Sequence, residues 1–342
     1  MTRSRTLLII AGVVAVAIAG AASWIERRFQ ADMRAAEARI SRGSHIAQTA
    51  CGPIEYGEAG TGPTVLMVHG AGGGFDQGLE FTEPLVRSGF RVIAPSRFGY
   101  LRTPLPQDAS AHAQADAHAC LLEALGVARV AAIGGSAGAP SVVQLCLRHP
   151  QKCSTMILVV PALYARTSTR PPLTPSPVAT FVIRTTLSSD FAFWAASRVA
   201  RSSLIESVLA TPMADVSRAT AVERNRVLQV LQHIQPVSRR AAGLMVDATL
   251  TTGPASFDFE HISVPTLIVT TRNDGYRTLE GASVAARRIP GARLVVYPDG
   301  GHLWVGHQEA LWRELRRFLG ETPETALPVT EQRNRIHRPE HS

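Results

Sequence analysis

Residues 130–138 read VAAIGGSAG, and a helical pattern continues from them to about Arg148. The apolar residues at the start of this stretch predict a short buried strand. The motif Gly134-x-Ser136-x-Gly138 then lies between a strand and a helix, which is the context of a nucleophile elbow. On such a turn the glycines let neighbouring backbone approach closely, and the serine hydroxyl is exposed. We therefore predict that Ser136 is a nucleophile, against the alternative of a chance match in a glycine-rich chain.

Apolar runs that resemble this strand recur on both sides of it and alternate with helical patterns. The predicted strands lie within residues 46–56, where two short ones flank a turn, and at 64–68, 91–94, 155–160, 266–270 and 294–297. The predicted helices lie near residues 79–88, 109–125, 279–288 and 308–319. Alternation of this kind is typical of α/β proteins, in which helices cover both faces of a mostly parallel sheet.

The alternation is interrupted between residues 162 and 257. Four prolines open this region, and the helical patterns that follow them contain no convincing buried strand: Pro171, Pro172, Pro175 and Pro177. We predict a helical cap at residues 162–257, inserted into an α/β core made of residues 46–161 and 258–320. Residues 321–342 are rich in proline and charge, which predicts a disordered tail.

The charge of the chain bears on its partners. The formal net charge is +8 and the pI is about 10.0. The arginines are spread along the chain, whereas a nucleic-acid-binding protein more often concentrates them in a stripe with interleaved aromatic residues. We predict no nucleic-acid partner, and a weak preference for anionic lipid near the N-terminus stays open.

Four cysteines match no zinc or CxxC spacing: Cys51, Cys120, Cys146 and Cys153. Cys120 and Cys146 lie among apolar residues of predicted helices, which favours buried free thiols. If the domain is exported, a disulfide between Cys146 and Cys153, or one that includes Cys51, is the alternative.

Residues 6–25 are apolar and uncharged, and about 20 such residues are enough to cross a bilayer as a helix. One interpretation is a cleaved signal segment, with the small residues 19–23 near the cut. We favour an uncut transmembrane anchor at residues 1–25, with Trp24 at the interface and a helical stalk at residues 26–45. Arginines flank both ends, so the orientation stays open. Both interpretations predict a protein that is membrane-anchored or exported to the cell envelope.

A serine hydroxyl is a poor nucleophile until a base takes its proton, and His302 is the best candidate for that base. It lies in the loop after the predicted strand at 294–297, close to the carboxyl edge of the sheet. His307 is a weaker alternative. Other histidines fit worse, because His45 precedes the sheet, His112 and His118 lie in a predicted helix and His149 ends one.

The histidine in turn needs an acid that holds its tautomer and stabilises the imidazolium. Asp274 directly follows the predicted strand at 266–270, and the order Ser136, Asp274, His302 is the triad order of an elbow-containing hydrolase. Asp299 competes for this role, but it is so close to His302 in sequence that we expect it to shape the loop.

An oxyanion site is predicted in the glycine-rich segment 69–74, HGAGGG, which follows the strand at 64–68. Its glycines allow a backbone N–H to face a developing oxyanion. We predict that the donors are the N–H groups of Ala71 and of Ala137. A phosphate-binding loop is the weaker interpretation, because no Gly-Lys-Ser/Thr follows.

Together, His69-Gly70, the motif at 134–138, Asp274 and Gly301-His302 resemble the α/β-hydrolase superfamily, over about residues 46–319. The resemblance implies an eight-stranded, mostly parallel sheet with the helical cap over the active site. Epoxide hydrolases and haloalkane dehalogenases of this superfamily use an aspartate nucleophile, and Ser136 argues against both. Proline iminopeptidase-like members share Gly134-Gly135-Ser136, but Ala137 replaces their typical tryptophan.

We expect an esterase-type serine hydrolase that acts on a small apolar ester-like substrate, with no metal or organic cofactor implied. Amide cleavage, acyl transfer and carbon–carbon bond hydrolysis are alternatives on the same fold, because the shape of the cap decides among them. A membrane-tethered binding protein without turnover is the alternative from another class. Four cap aromatics are expected either to line the substrate pocket or to pack in the core: Phe181, Phe191, Phe193 and Trp194.

Overall fold

The computed structural model describes residues 2–163, 189–250 and 257–321. The four prolines that open the cap, the cap aromatic Phe181 and the tail at 322–342 lie outside the described residues.

The described residues form one sheet of eight strands in the order β1-β2-β4-β3-β5-β6-β7-β8. The pairs β1–β2 and β2–β4 are antiparallel, and the pairs from β4–β3 to β7–β8 are parallel. The expectation of an eight-stranded, mostly parallel sheet is therefore confirmed. The strands are β1 Ser44–Thr49, β2 Gly52–Ala59, β3 Thr64–Val68, β4 Arg91–Pro95, β5 Val130–Gly135, β6 Cys153–Val159, β7 Thr266–Thr271 and β8 Arg293–Tyr297.

Eleven α-helices occur in the described part of the chain, and five of them belong to the region between β6 and β7. The helices are α1 Thr2–Ile40, α2 Phe75–Arg87, α3 Ala111–Ala124, α4 Ala139–Arg148, α5 Asp190–Val199, α6 Arg201–Ser207, α7 Met213–Arg218, α8 Ala221–His233, α9 Ala241–Leu250, α10 Thr278–Arg288 and α11 Gln308–Glu321.

The central strands are buried because helices cover both faces of the sheet. Side chains of a strand alternate between the faces, so Leu66 and Val68 pack with α3, α4 and α10, whereas Val65 and Met67 pack with α2 and α11. This two-sided burial explains why the strands appear in the sequence as continuous apolar runs.

A third apolar cluster joins Phe193 and residues of α6, α7 and α8 to Leu303 and Val305 of the loop after β8. Phe191 and Trp194 pack instead against Phe29 of α1, with ring centroids 5.3 and 5.6 Å from it. Of the two expectations for these aromatics, the contacts of all three agree with packing in the interior of the protein. Their large apolar areas are used to join the cap helices to one another and to the N-terminal helix.

Helix α1 runs without a break from the apolar segment into the charged stalk and ends at Ile40, earlier than the stalk boundary at residue 45 that the sequence suggested. Within it, Ile9–Ile40 is long and apolar enough by length and composition to cross a membrane, and its apolar window is fully exposed. Ala36 and Ile40, near its other end, are buried against the domain.

All four cysteines are paired, in the disulfides Cys51–Cys120 and Cys146–Cys153. The expectation of free thiols is therefore wrong. Helix α3 packs against the hairpin of β1 and β2, which brings Cys120 next to Cys51 with Cα atoms 6.0 Å apart. The short turn between α4 and β6 brings the other pair to a Cα separation of 5.2 Å.

Replacing Cys51 and Cys120 together by alanine is expected to lower the free energy of unfolding by about 4 kcal/mol, because the bridge closes a long loop. The sequence separation is 69 residues for this bridge and 7 for the other, so the Cys146→Ala/Cys153→Ala pair is expected to cost only about 2 kcal/mol. Urea denaturation with and without reductant measures both, since reductant should abolish the difference between wild type and variant. Free thiols in the unreduced, urea-unfolded wild type would contradict the pairing.

Candidate active site

The motif around Ser136 forms a tight turn between β5 and α4. Ser136 has a φ of +47°, in the left-handed region that few residues other than glycine adopt. A Cβ at Gly134 would lie 2.8 Å from the Cα of Ala139, and one at Gly138 would lie 2.5 Å from the carbonyl oxygen of Val68. Both positions therefore need glycine, and the turn leaves the Ser136 side chain only half-buried.

His302 lies in the loop after β8, in a short helical turn at Gly301–Leu303. Its Nε2 is 2.9 Å from the Oγ of Ser136, and its Nδ1 is 2.9 Å from an Oδ of Asp274. The three residues come from loops after β5, β7 and β8, which meet because parallel strands end at the same edge of the sheet. The structure thus brings together the three residues proposed as nucleophile, base and acid.

The Asp274 carboxylate is buried and accepts further hydrogen bonds from the Thr278 hydroxyl and, at 2.8 Å, from the Tyr276 N–H. Burial by itself raises the pKa of Asp274, but the neighbouring His302 and these hydrogen bonds outweigh it and hold that pKa below its usual value. The group is therefore an anion at neutral pH, as an orienting acid has to be.

The two competing residues pair with each other. The Nε2 of His307 is 2.7 Å from an Oδ of Asp299, and the His307 ring stacks on Tyr297. Neither is hydrogen-bonded to Ser136. The expectation that Asp299 shapes the histidine loop agrees with this contact.

A second buried histidine lies beneath the elbow. The Nε2 of His118, on α3, is 3.2 Å from the hydroxyl of Ser141, which donates to the carbonyl of Gly138. Burial lowers the pKa of His118 to about 3, so the ring is neutral at physiological pH. It supports the turn after Ser136 and does not reach the Ser136 hydroxyl.

The glycine-rich segment at 69–74 passes beside the elbow. A Cβ at Gly70 would lie 3.1 Å from the Cβ of Ser136, which is closer than most side-chain contacts, so glycine suits this approach. The N–H of Ala71 has no hydrogen-bond partner among the residues that the structure describes, whereas the N–H of Gly72 donates to the Tyr100 hydroxyl at 3.3 Å. A free N–H at Ala71 is what the prediction of an oxyanion donor requires, and that role stays a prediction.

Behind this segment lies a buried polar cluster that sequence reasoning missed. The guanidinium of Arg97 donates to the carbonyl of His69 at 2.9 Å and forms a bidentate pair with Asp247, both bonds being 2.7 Å. The Tyr100 hydroxyl also binds Asp247, at 2.5 Å. Burial lowers the pKa of His69 and raises that of Tyr100, so both are neutral at pH 7. The cluster holds the glycine-rich segment from the side of the cap helix α9.

A second buried arginine acts on the same segment. Arg240, in the loop before α9, donates to the Gly73 carbonyl at 2.5 Å and to both carboxylate oxygens of Asp76 at 2.8 and 3.2 Å. Burial raises the pKa of Asp76, but Arg240 and then Arg39 outweigh it and lower that pKa overall. Two cap residues, Asp247 and Arg240, therefore position the segment that carries the Ala71 N–H.

The cap also holds the loop of His302. Asp215 of α7 accepts hydrogen bonds from the Gly300 N–H at 3.0 Å and from the Asn273 side chain at 2.7 Å. Arg226 of α8 donates to the Leu303 carbonyl at 2.7 Å. These contacts span 58 to 85 residues of sequence, and no local pattern marks them. The cap is thus part of the framework of the site and not merely a cover.

This arrangement is suited to nucleophilic catalysis, because a proton can pass from the serine to a histidine whose other nitrogen faces a carboxylate. Among the residues that the structure describes, no group of three or more His, Cys, Asp or Glu side chains is placed to hold a metal ion.

Comparison with known proteins gives a consistent result. Residues 63–305 match the sequence model of a family described as "alpha/beta hydrolase fold". The chain is 25% identical over 273 residues to the uncharacterized hydrolase YcgS of Bacillus subtilis, which covers 76% of this chain and 92% of that protein. It is 24% identical over 262 residues to a 2-hydroxy-6-oxo-6-phenylhexa-2,4-dienoate hydrolase of Comamonas testosteroni, covering 75% and 87% of the two chains.

A solved structure with a similar fold is an esterase from Exiguobacterium antarcticum. It aligns with a TM-score of 0.62 at 20% identity, covering 80% of this chain and 98% of the esterase.

Proposed function

The chain belongs to the alpha/beta hydrolase fold family, and we propose that it is a serine hydrolase that cleaves an ester-type bond through an acyl-enzyme. The observation that carries this proposal is the unbroken hydrogen-bonded series from the Ser136 hydroxyl through His302 to Asp274, with a distance of 2.9 Å at each step. A serine held in a left-handed turn beside an unpartnered backbone N–H supports the same reaction.

In the proposed reaction the Ser136 oxygen attacks the substrate carbonyl while His302 takes the hydroxyl proton at Nε2. Asp274 holds the Nδ1–H and stabilises the imidazolium that forms. The negative charge on the carbonyl oxygen is bound by the N–H groups of Ala71 and Ala137. His302 then gives its proton to the leaving alcohol, and a water molecule, deprotonated by the same nitrogen, releases the acid and restores Ser136.

Hydrolysis of a carbon–carbon bond is a second candidate. The relative from Comamonas testosteroni carries a name that describes this kind of substrate, a 2-hydroxy-6-oxo-dienoate. The same nucleophile, base and oxyanion donors serve both reactions, because each begins with attack on a carbonyl carbon. The leaving group distinguishes the two reactions. An alcohol leaves from the ester, whereas a stabilised carbanion leaves when the carbon–carbon bond of the dienoate is cleaved.

We also propose that the N-terminal helix is an uncut anchor and that the domain is outside the cytoplasm. The apolar window of α1 is exposed along its whole length, which suits lipid and not a protein core. The two disulfides are typical of an oxidising compartment.

The proposal is tested with the full-length chain in detergent, because α1 packs against the cap and its removal would disturb the domain. A fluorophosphonate probe is expected to label the wild type and not Ser136→Ala. Ser207→Ala, which alters an exposed serine of the cap, is the matched control and is expected to label normally.

Turnover is then compared between p-nitrophenyl esters of increasing chain length and a 2-hydroxy-6-oxo-dienoate. Faster hydrolysis of the esters supports the first candidate, and faster hydrolysis of the dienoate replaces it by the second. Folded wild-type protein that neither labels nor turns over either substrate would contradict the proposal and favour a binding role.

A further inference from the structure

The distance between the apolar segment of α1 and the cap is set by the helix itself. The uncharged stretch ends at Ile25, and Phe29, four residues later, packs against Phe191 and Trp194 of the cap helix α5. At 1.5 Å per residue these four residues span about 6 Å along the helix axis. Because α1 is unbroken from Thr2 to Ile40, nothing in the backbone allows that distance to change freely.

The docking of α1 onto the cap is polar as well as apolar. Asp32 accepts a hydrogen bond from the Trp194 indole at 2.8 Å and forms an ion pair with Arg198. Further along, Arg39 donates to the carbonyl of His233 at 3.1 Å and pairs with Asp76 at 3.3 Å. The contacts extend over three turns of α1, so they determine the rotation of the helix as well as its depth.

The surface next to this contact has the chemistry of a membrane interface. Arg27 and Arg28 of α1 are exposed, as is Arg201 at the corner between α5 and α6, whereas the exposed Arg198 beside it is already paired with Asp32. Val199, at the same corner, is 88% exposed. Cations around a protruding apolar residue suit an anionic lipid surface, in which the apolar side chain enters the headgroup boundary and the cations bind phosphates.

The cap also adjoins the proposed catalytic residues. Its Ala210 carbonyl accepts the His302 N–H at 3.2 Å, and its Thr211 hydroxyl accepts the Leu303 N–H at 3.2 Å. The cap that the anchor brings next to a bilayer is therefore also in direct contact with the loop that carries His302.

We propose that the cap faces the membrane, with the corner between α5 and α6 at the lipid headgroups, and that the enzyme takes an acyl ester substrate from that bilayer. The orientation follows from α1 and its contacts. The supply of substrate rests on the proposed ester hydrolysis.

The orientation is tested by fluorescence quenching in vesicles of phosphatidylcholine and phosphatidylglycerol that hold the full-length protein. An environment-sensitive fluorophore is attached at Val199→Cys or at Ala128→Cys. Ala128 is exposed and lies just before β5, at the amino ends of the parallel strands, whereas the loops of the proposed triad follow their carboxyl ends. Brominated lipid is expected to quench the label at residue 199 at least about twofold more than the label at residue 128. Equal quenching at both positions, or stronger quenching at residue 128, would overturn the orientation.

The supply of substrate is tested by inserting seven helix-forming residues between Ile25 and Glu26. Two turns of helix move the domain about 10 Å away from the apolar segment and nearly keep the rotation of the one relative to the other. The contacts of the stalk with the domain follow the insertion in sequence and stay as they are. Hydrolysis of a long-chain ester dissolved in the vesicles is expected to fall about tenfold, whereas p-nitrophenyl acetate hydrolysis stays unchanged.

If the insertion lowers the hydrolysis rate of neither ester, or lowers both rates equally, the proposal that the enzyme takes its substrate from the bilayer is overturned. The quenching does not require turnover, so a protein that is quenched as expected but hydrolyses no ester would contradict the proposed function and leave the orientation standing.

Discussion

Replacement of His302 by alanine is expected to lower kcat for ester hydrolysis by about six orders of magnitude. The Nε2 of His302 is 2.9 Å from the Ser136 hydroxyl, and no other histidine of the described residues is hydrogen-bonded to that hydroxyl. Without the base the serine keeps its proton, and only the oxyanion donors and substrate binding remain. The measurement is steady-state hydrolysis of p-nitrophenyl butyrate by the full-length protein, with circular dichroism to verify folding.

The matched control is His307→Ala. His307 lies five residues from His302 and is paired with Asp299 at 2.7 Å, away from the Ser136 hydroxyl. We expect its replacement to leave kcat nearly unchanged. If His307→Ala silenced the enzyme and His302→Ala did not, the base would be wrongly assigned.

Asp274→Asn is expected to lower kcat by about four orders of magnitude. An amide at this position donates where the carboxylate accepts, so it favours the His302 tautomer that presents a proton, and not a lone pair, to Ser136. The variant also loses the charge that stabilises the imidazolium. Because asparagine has nearly the same size, the contacts with Thr278 and Tyr276 are disturbed least by this change.

The pH dependence of the unfolding free energy gives a second test of the role of Asp274. The pKa of Asp274 in the folded protein lies below that of an unfolded chain, so the ionised carboxylate stabilises the fold above the unfolded pKa. This contribution is lost as the pH falls through the folded pKa. The difference in unfolding free energy between wild type and Asp274→Asn is therefore expected to be largest near neutral pH and to narrow in acid.

Asp299→Asn is the control for this prediction. Asp299 is also a loop carboxylate near His302, but it is about half exposed and contacts His307 and Arg218. We expect little change in kcat. A loss of four orders of magnitude in Asp299→Asn, with Asp274→Asn still active, would reverse the assignment of the acid.

The residues of the proposed triad could be chosen from the sequence because each follows a strand that is itself visible there. The apolar runs at β5, β7 and β8 are continuous since both faces of the sheet are covered, and each is followed by glycine and polar residues. Parallel strands then bring the loops after them to one edge. Local pattern and chain order were therefore sufficient to select Ser136, Asp274 and His302, whose catalytic roles stay predictions.

The contacts of the cap could not be chosen in this way. Four charged residues look like ordinary charges of helical segments, and only the folded chain shows that three are buried and one is half-buried: Asp215, Arg240 and Asp247, and Arg226. Each is held by a partner at least 58 residues away, which no periodicity encodes.

The same limit explains why the cysteines were expected to be free thiols and why the role of the cap aromatics stayed open. Cys120 and Cys146 have apolar neighbours whether or not they are paired, so spacing was silent about disulfides that depend on how α3 and α4 pack. Phe191 and Trp194 have the composition of a pocket lining, but their partner, Phe29, is more than 160 residues away.

The amino-acid sequence alone was enough for the order of strands and helices, the sharp turn at Ser136 and the length of the apolar N-terminal segment. Each of these depends on side-chain periodicity, glycine and proline within a few residues, and such short-range patterns can be recognised without knowing which distant segments they meet. Folding in three dimensions was needed for the pairing of the cysteines, the buried arginine clusters and the docking of α1 onto the cap. Those features arise where segments distant in sequence are buried against each other. The free energy of such a contact depends on which polar and apolar groups meet there, and not on their order along the chain.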